Sequence, residues 1–121
     1  MSEMNEETRK FQKELNAGTT ALVLLSVLDQ AKEPMYGYQI AKLIEANSDD
    51  MQILKQGALY PVLRALESSG LLASEVEPSV SGPPRRYYTI TDAGCQTLTK
   101  WKDIWTRTKT LVDTILRGEE K

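Results

Sequence analysis

Between Tyr36 and Leu72 the hydrophobic period is helical, breaks, becomes helical again and then stops at a glycine, and few folds accept that order. Ile40, Ala41, Leu43 and Ile44 follow the 3, 4 spacing of a helix with one buried face. Asn47, Ser48, Asp49 and Asp50 come next; such short polar side chains compete for backbone hydrogen bonds and interrupt helices. Leu59, Val62, Leu63 and Leu66 resume the spacing and leave Tyr60, Arg64 and Glu67 to the outer side. Gly70 stands where a left-handed C-terminal cap is needed, and Leu71 and Leu72 lead from it into a strand. Two short helices joined by a brief turn describe a helix-turn-helix, whose second helix can enter the major groove of DNA. Small helical domains without any nucleic-acid role contain the same step, so the flanking segments have to decide.

On the N-terminal side, Phe11 and Leu15 lie four apart and open an amphipathic helix. Gly18, Thr19 and Thr20 weaken its middle, where a kink or a close helix contact is expected. Ala21 to Leu28 is apolar nearly all round, as in an element buried on several sides, and Lys32, Glu33 and Pro34 end it. After Leu72 the period changes to 2: Leu72, Ser74 and Val76 alternate with Ala73, Glu75 and Glu77. Pro78 to Pro84 forms a loop, and Arg85 to Ile90 reads as a second strand rich in aromatic and β-branched residues. The expected unit is a two-stranded hairpin that must lean on the helices to be stable. Alternation sends Arg85 and Arg86 to its opposite faces.

Thr91 then suits a helix N-cap, with Asp92 in the first turn. Leu98, Trp101, Trp105, Thr108, Val112 and Ile115 step by 3, 4, 3, 4, 3, a coiled-coil-like seam. Ile104 and Leu111 form a second apolar line, and Leu116 widens the face. One short domain cannot easily bury both lines. A homodimer packed through Leu98, Trp101, Trp105, Val112 and Ile115, with Phe11 and Leu15 beside them, is the economical expectation.

Charge narrows the function without naming it. Fifteen basic residues against 17 acidic give a net charge of −2, so any binding of nucleic acid must rest on a local basic face. The absence of histidine removes the commonest general base and metal ligand. Asp49 and Asp50 lack calcium-loop spacing, and no glycine-rich phosphate loop follows a strand. No catalytic residue, metal site or cofactor is therefore expected. The single cysteine, Cys95, excludes an intrachain disulfide and reads as a buried structural thiol. The N-terminus has no signal-peptide core, and the apolar run from Ala21 to Leu28 is too short to span a bilayer. A cytoplasmic protein without membrane contact is expected.

The order is thus helix, helix, turn, helix, basic hairpin and long terminal helix: a mainly α winged helix-turn-helix with a dimerisation arm. Three segments make it resemble the PadR family of bacterial transcriptional regulators, in its short-chain branch with a single C-terminal helix. They are Tyr36–Gly37–Tyr38 with Ile40; Gly57–Ala58–Leu59–Tyr60–Pro61 through Leu66–Glu67 and Gly70–Leu71–Leu72; and Gly82 through Arg85–Arg86–Tyr87–Tyr88 to Thr91, Ala93 and Gly94. The resemblance implies a DNA-binding unit over residues 1–90 and a dimerisation helix over 91–121. Lys55, Gln56, Tyr60 and Arg64 would face the groove, the glutamine suited to adenine and the arginine to guanine or phosphate. Tyr36, Tyr38 and Gln39 would meet phosphates, and Arg85 and Arg86 would reach the backbone or minor groove from the wing. Pro61, lacking an N–H early in the second helix, is expected to distort it locally.

Some relatives carry a tryptophan at the Trp105 position that sandwiches flat aromatic compounds at the dimer interface. The resemblance therefore implies Trp101 and Trp105 as a ligand site, although both could equally fill the dimer core. The implied activity is repression: a homodimer holding a pseudo-palindromic operator in double-stranded DNA until a small planar aromatic ligand releases it. A winged helix used for protein–protein contact without DNA is the alternative, and a regulator answering to a partner or a phosphate group is a third.

Overall fold

The computed structural model describes residues 5–47 and 56–118. It is mainly helical, with α1 (Glu6–Gln30), α2 (Gly37–Ala46), α3 (Gln56–Ser68) and α4 (Asp92–Leu116) around a small antiparallel sheet. The strands are β1 (Met35–Tyr36), β2 (Leu72–Glu77) and β3 (Arg85–Ile90), in the order β1-β3-β2. The hairpin expected from the sequence is therefore extended by a third strand. Met35 pairs with Tyr88 and Tyr36 with Tyr87. A two-residue strand has no periodicity of its own; it exists because β3 offers a free edge to the residues leading into α2.

Local chemistry sets the boundaries. Asn5 caps α1 by accepting the Thr8 N–H at 2.8 Å, with Glu6 and Glu7 in the first turn where negative charge is favoured. α1 runs unbroken through Gly18, where the Thr19 and Thr20 hydroxyls donate to the carbonyls of Leu15 and Asn16. The assignment of α3 likewise runs through Pro61 without a break. That helix ends in a Schellman cap, with the Leu71 N–H donating to the Leu66 carbonyl and the Gly70 N–H to Glu67, both at 2.9 Å. The geometry requires the left-handed conformation that Gly70 adopts at φ 82°.

Thr91 fastens α4 to that cap. Its hydroxyl donates to the Gly70 carbonyl at 2.7 Å and accepts the Gly94 N–H at 3.0 Å, while its own N–H donates to the Leu71 carbonyl at 3.1 Å. Gly94 completes the junction, since a Cβ there would stand 2.2 Å from the Leu71 carbonyl oxygen. The start of the last helix is thus locked to the end of α3.

The core lies where α1, α2, α3, the sheet and the first turns of α4 converge. Leu24, Leu25, Ile40, Leu59 and Leu63 are fully or almost fully buried, together with Leu28, Leu66, Leu72 and Tyr88. Each such leucine or isoleucine contributes roughly 1.5–3 kcal/mol by leaving water. Leu98 belongs to this core as well. Expected in the dimer seam, it is 2% exposed and packs against the protomer's own interior, because the first turns of α4 lie directly over it. Cys95 is a second correction. It is exposed rather than buried, with its Sγ 3.7 Å from Asp29 Oδ1 on α1. Desolvation and the neighbouring Asp29 carboxylate push its thiol pKa up.

Candidate nucleic-acid interface and effector groove

The residues expected to meet DNA gather at the start of α2, along the outer face of α3 and at the start of β3. Strand alternation divides them into two groups. On one face of β3, Tyr36, Tyr38, Tyr87 and Arg85 form an aromatic cluster. The Tyr36 and Tyr38 rings stack with centroids 6.5 Å apart, Tyr87 meets Tyr36 edge-on at 5.3 Å, and the Arg85 guanidinium carbon lies 4.5 Å from the Tyr36 ring centroid. Lys42, one turn along α2, places its ammonium 5.5 Å from the Tyr38 centroid. Gln39 is partly committed to structure, because its Oε1 accepts the Tyr36 N–H at 3.0 Å and steadies the first turn of α2.

On the other face, Tyr60, Arg64 and Glu67 of α3 meet Arg86 and Tyr88 of β3 around a cavity of about 500 Å³. Arg86 does not hang free at the wing. Its Nη1 donates to Ser74 Oγ at 2.9 Å, and the Ser74 hydroxyl donates to Glu67 Oε2 at 2.7 Å. This short chain ties the wing to α3. Among the described residues, neither Arg64 nor Arg85 is paired with a carboxylate. Lys55 and the side chain of Gln56 lie outside the described residues.

Gly37 joins the two groups. A Cβ at that position would stand 2.6 Å from the Tyr60 hydroxyl oxygen, so only glycine lets the Tyr60 ring lie against the first turn of α2. The contact fixes α3 against α2. Tyr36 is half-buried, whereas Tyr38, Tyr60, Arg64, Arg85 and Arg86 stay exposed. The surface so formed presents cations and tyrosine hydroxyls, the usual donors to phosphate oxygens.

A second feature lies along the helix pair. α1 and α4 run antiparallel, with Asp29 beside Cys95 at one end and Leu15 sharing a groove with Thr108 towards the other. This groove has a volume of about 430 Å³ and is lined by Leu15, Gly18, Leu22, Trp101, Ile104 and Trp105, among others. Both tryptophans thus face one apolar trough within a single protomer. Trp101 is partly buried against the core, and Trp105 is 41% exposed. Beyond the groove, Phe11, Leu111, Val112, Ile115 and Leu116 are all exposed.

The described fold and this arrangement of helices and wing have direct counterparts. The family model of the PadR-like transcriptional regulators matches residues 24–100, which is most of the chain. The chain belongs to this PadR-like family. Among solved structures, it is similar to a PadR family transcriptional regulator from Eggerthella lenta, at 35% identity with a TM-score of 0.75, covering 89% of this chain and 90% of the other. A PadR family transcription regulator from Clostridium difficile is 30% identical with a TM-score of 0.67, covering 81% and 98%. A PadR-like transcription factor from Bacteroides fragilis is 28% identical with a TM-score of 0.70, covering 88% and 98%. The PadR-like family is one of transcriptional regulators. Among the described residues, no helix is long and apolar enough to cross a membrane.

Four residues of this PadR-like surface were not singled out from the sequence, Lys42, Ser74, Tyr87 and Tyr88, and Glu67 was placed only on the outer side of the helix. Some signals were present. Lys42 is four residues from Tyr38 and Glu67 three from Arg64, both helix-neighbour spacings, while Tyr88 is two from Arg86 on one strand face. Ser74 could be placed only through register, since it stands opposite Tyr88 across the sheet.

Proposed function

We propose that this PadR-like regulator is a cytoplasmic repressor that binds a pseudo-palindromic operator as a homodimer and leaves it when a small planar aromatic compound binds. The observation carrying the DNA reading is the gathering of Tyr60, Arg64 and Arg86 around one cavity between α3 and the wing, with Arg85 and Tyr38 grouped about Tyr36 on the other face of β3. Residues 1–90 act as the DNA-binding unit, in which α3 enters the major groove while the tyrosines and wing arginines hold phosphates. Residues 91–121 supply the dimerisation helix. The apolar faces of α1 and α4, with Phe11 64% and Ile115 60% exposed, support pairing with a second copy across a two-fold axis. The trough holding Trp101 and Trp105 supports a flat aromatic ligand, which would stack on the indoles. Such a ligand releases DNA by favouring one spacing of the two recognition helices, to the extent of its differential affinity for the two states.

The main rival is a winged helix used only for protein contact, and the net charge of −2 is the observation on its side. A salt-titrated gel shift on the DNA upstream of the protein's own gene separates the two. The DNA reading expects specific binding that weakens steeply with salt, and a weakened complex for Arg64→Ala. Absence of any specific complex at low salt would favour the protein-contact reading.

A further inference from the structure

Tyr88 is the least expected member of the cavity between α3 and β3. It is 2% exposed and lines that cavity, yet its hydroxyl makes no hydrogen bond among the described residues. Among the described residues no buried side-chain oxygen lacks a partner, so the hydroxyl is the end of the Tyr88 side chain that stays open to the cavity, free to donate to whatever enters it. Around it stand the Arg64 and Arg86 guanidiniums, the Tyr60 ring and the Glu67 carboxylate. Glu67 is already engaged: it accepts from Ser74, which in turn accepts from Arg86. Two guanidiniums against one carboxylate leave a single positive charge at the cavity. Among the described residues Arg64 has no carboxylate partner, and Arg86 spends Nη1 on Ser74 while a guanidinium carries five donor hydrogens.

We propose that this cavity seats one phosphodiester group of the nucleic-acid backbone, held by Arg64, Arg86 and the hydroxyl of Tyr88. The inference rests on the DNA reading above and adds to it a defined phosphate seat with a residue not expected from the sequence. The single residual charge matches a diester, which carries one negative charge, better than the dianion of a phosphate monoester. The seat lies between the recognition helix and the wing, so a backbone phosphate held there would fix the two elements on the duplex together. Raised by burial, with the Arg86 guanidinium opposing that rise, the Tyr88 pKa keeps the hydroxyl protonated and able to donate near neutral pH.

Tyr88→Phe removes the hydroxyl and keeps the ring, so near-ultraviolet circular dichroism should be unchanged. Two titrations then follow the arginine Nε–Hε resonances by NMR, assigned through Arg64→Lys and Arg86→Lys. One uses a short duplex from the region upstream of the protein's own gene; the other uses inorganic phosphate at constant ionic strength. The seat predicts saturable movement of both resonances with duplex and about tenfold weaker duplex binding by Tyr88→Phe, the effect of one hydrogen bond to a charged group. Tyr88-dependent saturation by inorganic phosphate, in competition with duplex, would support the seat and make a free phosphate its occupant. Equal duplex affinity for the two proteins, with both resonances unmoved in either titration, would overturn the seat while leaving DNA binding intact. Failure of both proteins to bind duplex, with Tyr88-dependent phosphate binding retained, would instead overturn the DNA reading and keep the seat as an anion site.

Discussion

Leu98 and Ile115 lie on the same apolar line of α4, yet the first is 2% exposed and the second 60%. Up to Trp101 the helix packs on the common core, to which Leu98 belongs together with Leu24, Leu25 and Leu28 of α1. Past Trp105 the same periodicity continues, but Leu111, Val112, Ile115 and Leu116 face outward. The distal half of α1 behaves alike, with Phe11 and Leu15 exposed. One half of this helix pair is therefore finished by its own protomer, and the other carries an apolar face that no described residue covers. A hydrophobic period states which face seeks burial; it does not state against what.

Substitution on the two halves should break different things. The largest effect is expected from Ile115→Asp, which would bury a charge at the proposed dimer interface at a cost on the order of 3–5 kcal/mol. Sedimentation should then show a folded monomer, or aggregation, where the unaltered protein is dimeric. An unaltered protein that sediments as a stable monomer at micromolar concentration would contradict this half of the comparison. Leu98→Ala should do the reverse, costing about 2–5 kcal/mol of protomer stability through the cavity it leaves, as read by chemical denaturation. If its only consequence is loss of the dimer, Leu98 belongs to the seam after all.

Trp105→Ala sharpens the boundary between the halves. It should lose most of the affinity for planar aromatic ligands while the dimer and operator binding persist, whereas Trp101→Ala, nearer the core, should cost stability. Quenching of indole fluorescence by a panel of planar dyes and phenolic acids measures the first effect. Equal affinities for the unaltered protein and Trp105→Ala would leave the tryptophans as packing residues. The smallest effect is expected at the junction that anchors the covered half: Thr91→Ala should cost about 1 kcal/mol, the usual worth of an N-cap, and lower the melting temperature by a few degrees.

Much of the scaffold could be read from residues whose conformation is fixed locally. Gly70 as a left-handed cap, Thr91 as an N-cap and the alternation of Leu72 to Glu75 all depend on near neighbours in the chain. What escaped the sequence depends on distant partners. β1 forms only because β3 lies beside it, and Gly37 and Gly94 are tight only because Tyr60 and Leu71 arrive from elsewhere. Cys95 misled because its residue type favours burial, while its place near the start of α4 leaves it at the surface. At the candidate interface, Tyr60 and Arg64 could be placed on the outer side of α3 from their spacing, whereas Tyr36 entered only through the family resemblance. The tie from Arg86 through Ser74 to Glu67 could not, since it crosses from strand to strand and then to a helix.

The central claim is that the uncovered half pairs two copies so that two α3 helices read one operator. Hydroxyl-radical footprinting on the DNA upstream of the protein's own gene tests it most directly. Two equivalent protected patches, centred about 10 base pairs apart or a multiple of that and related by a two-fold axis, are the predicted result. A single unpaired patch, or uniform reactivity at protein concentrations where the dimer is fully formed, would contradict it.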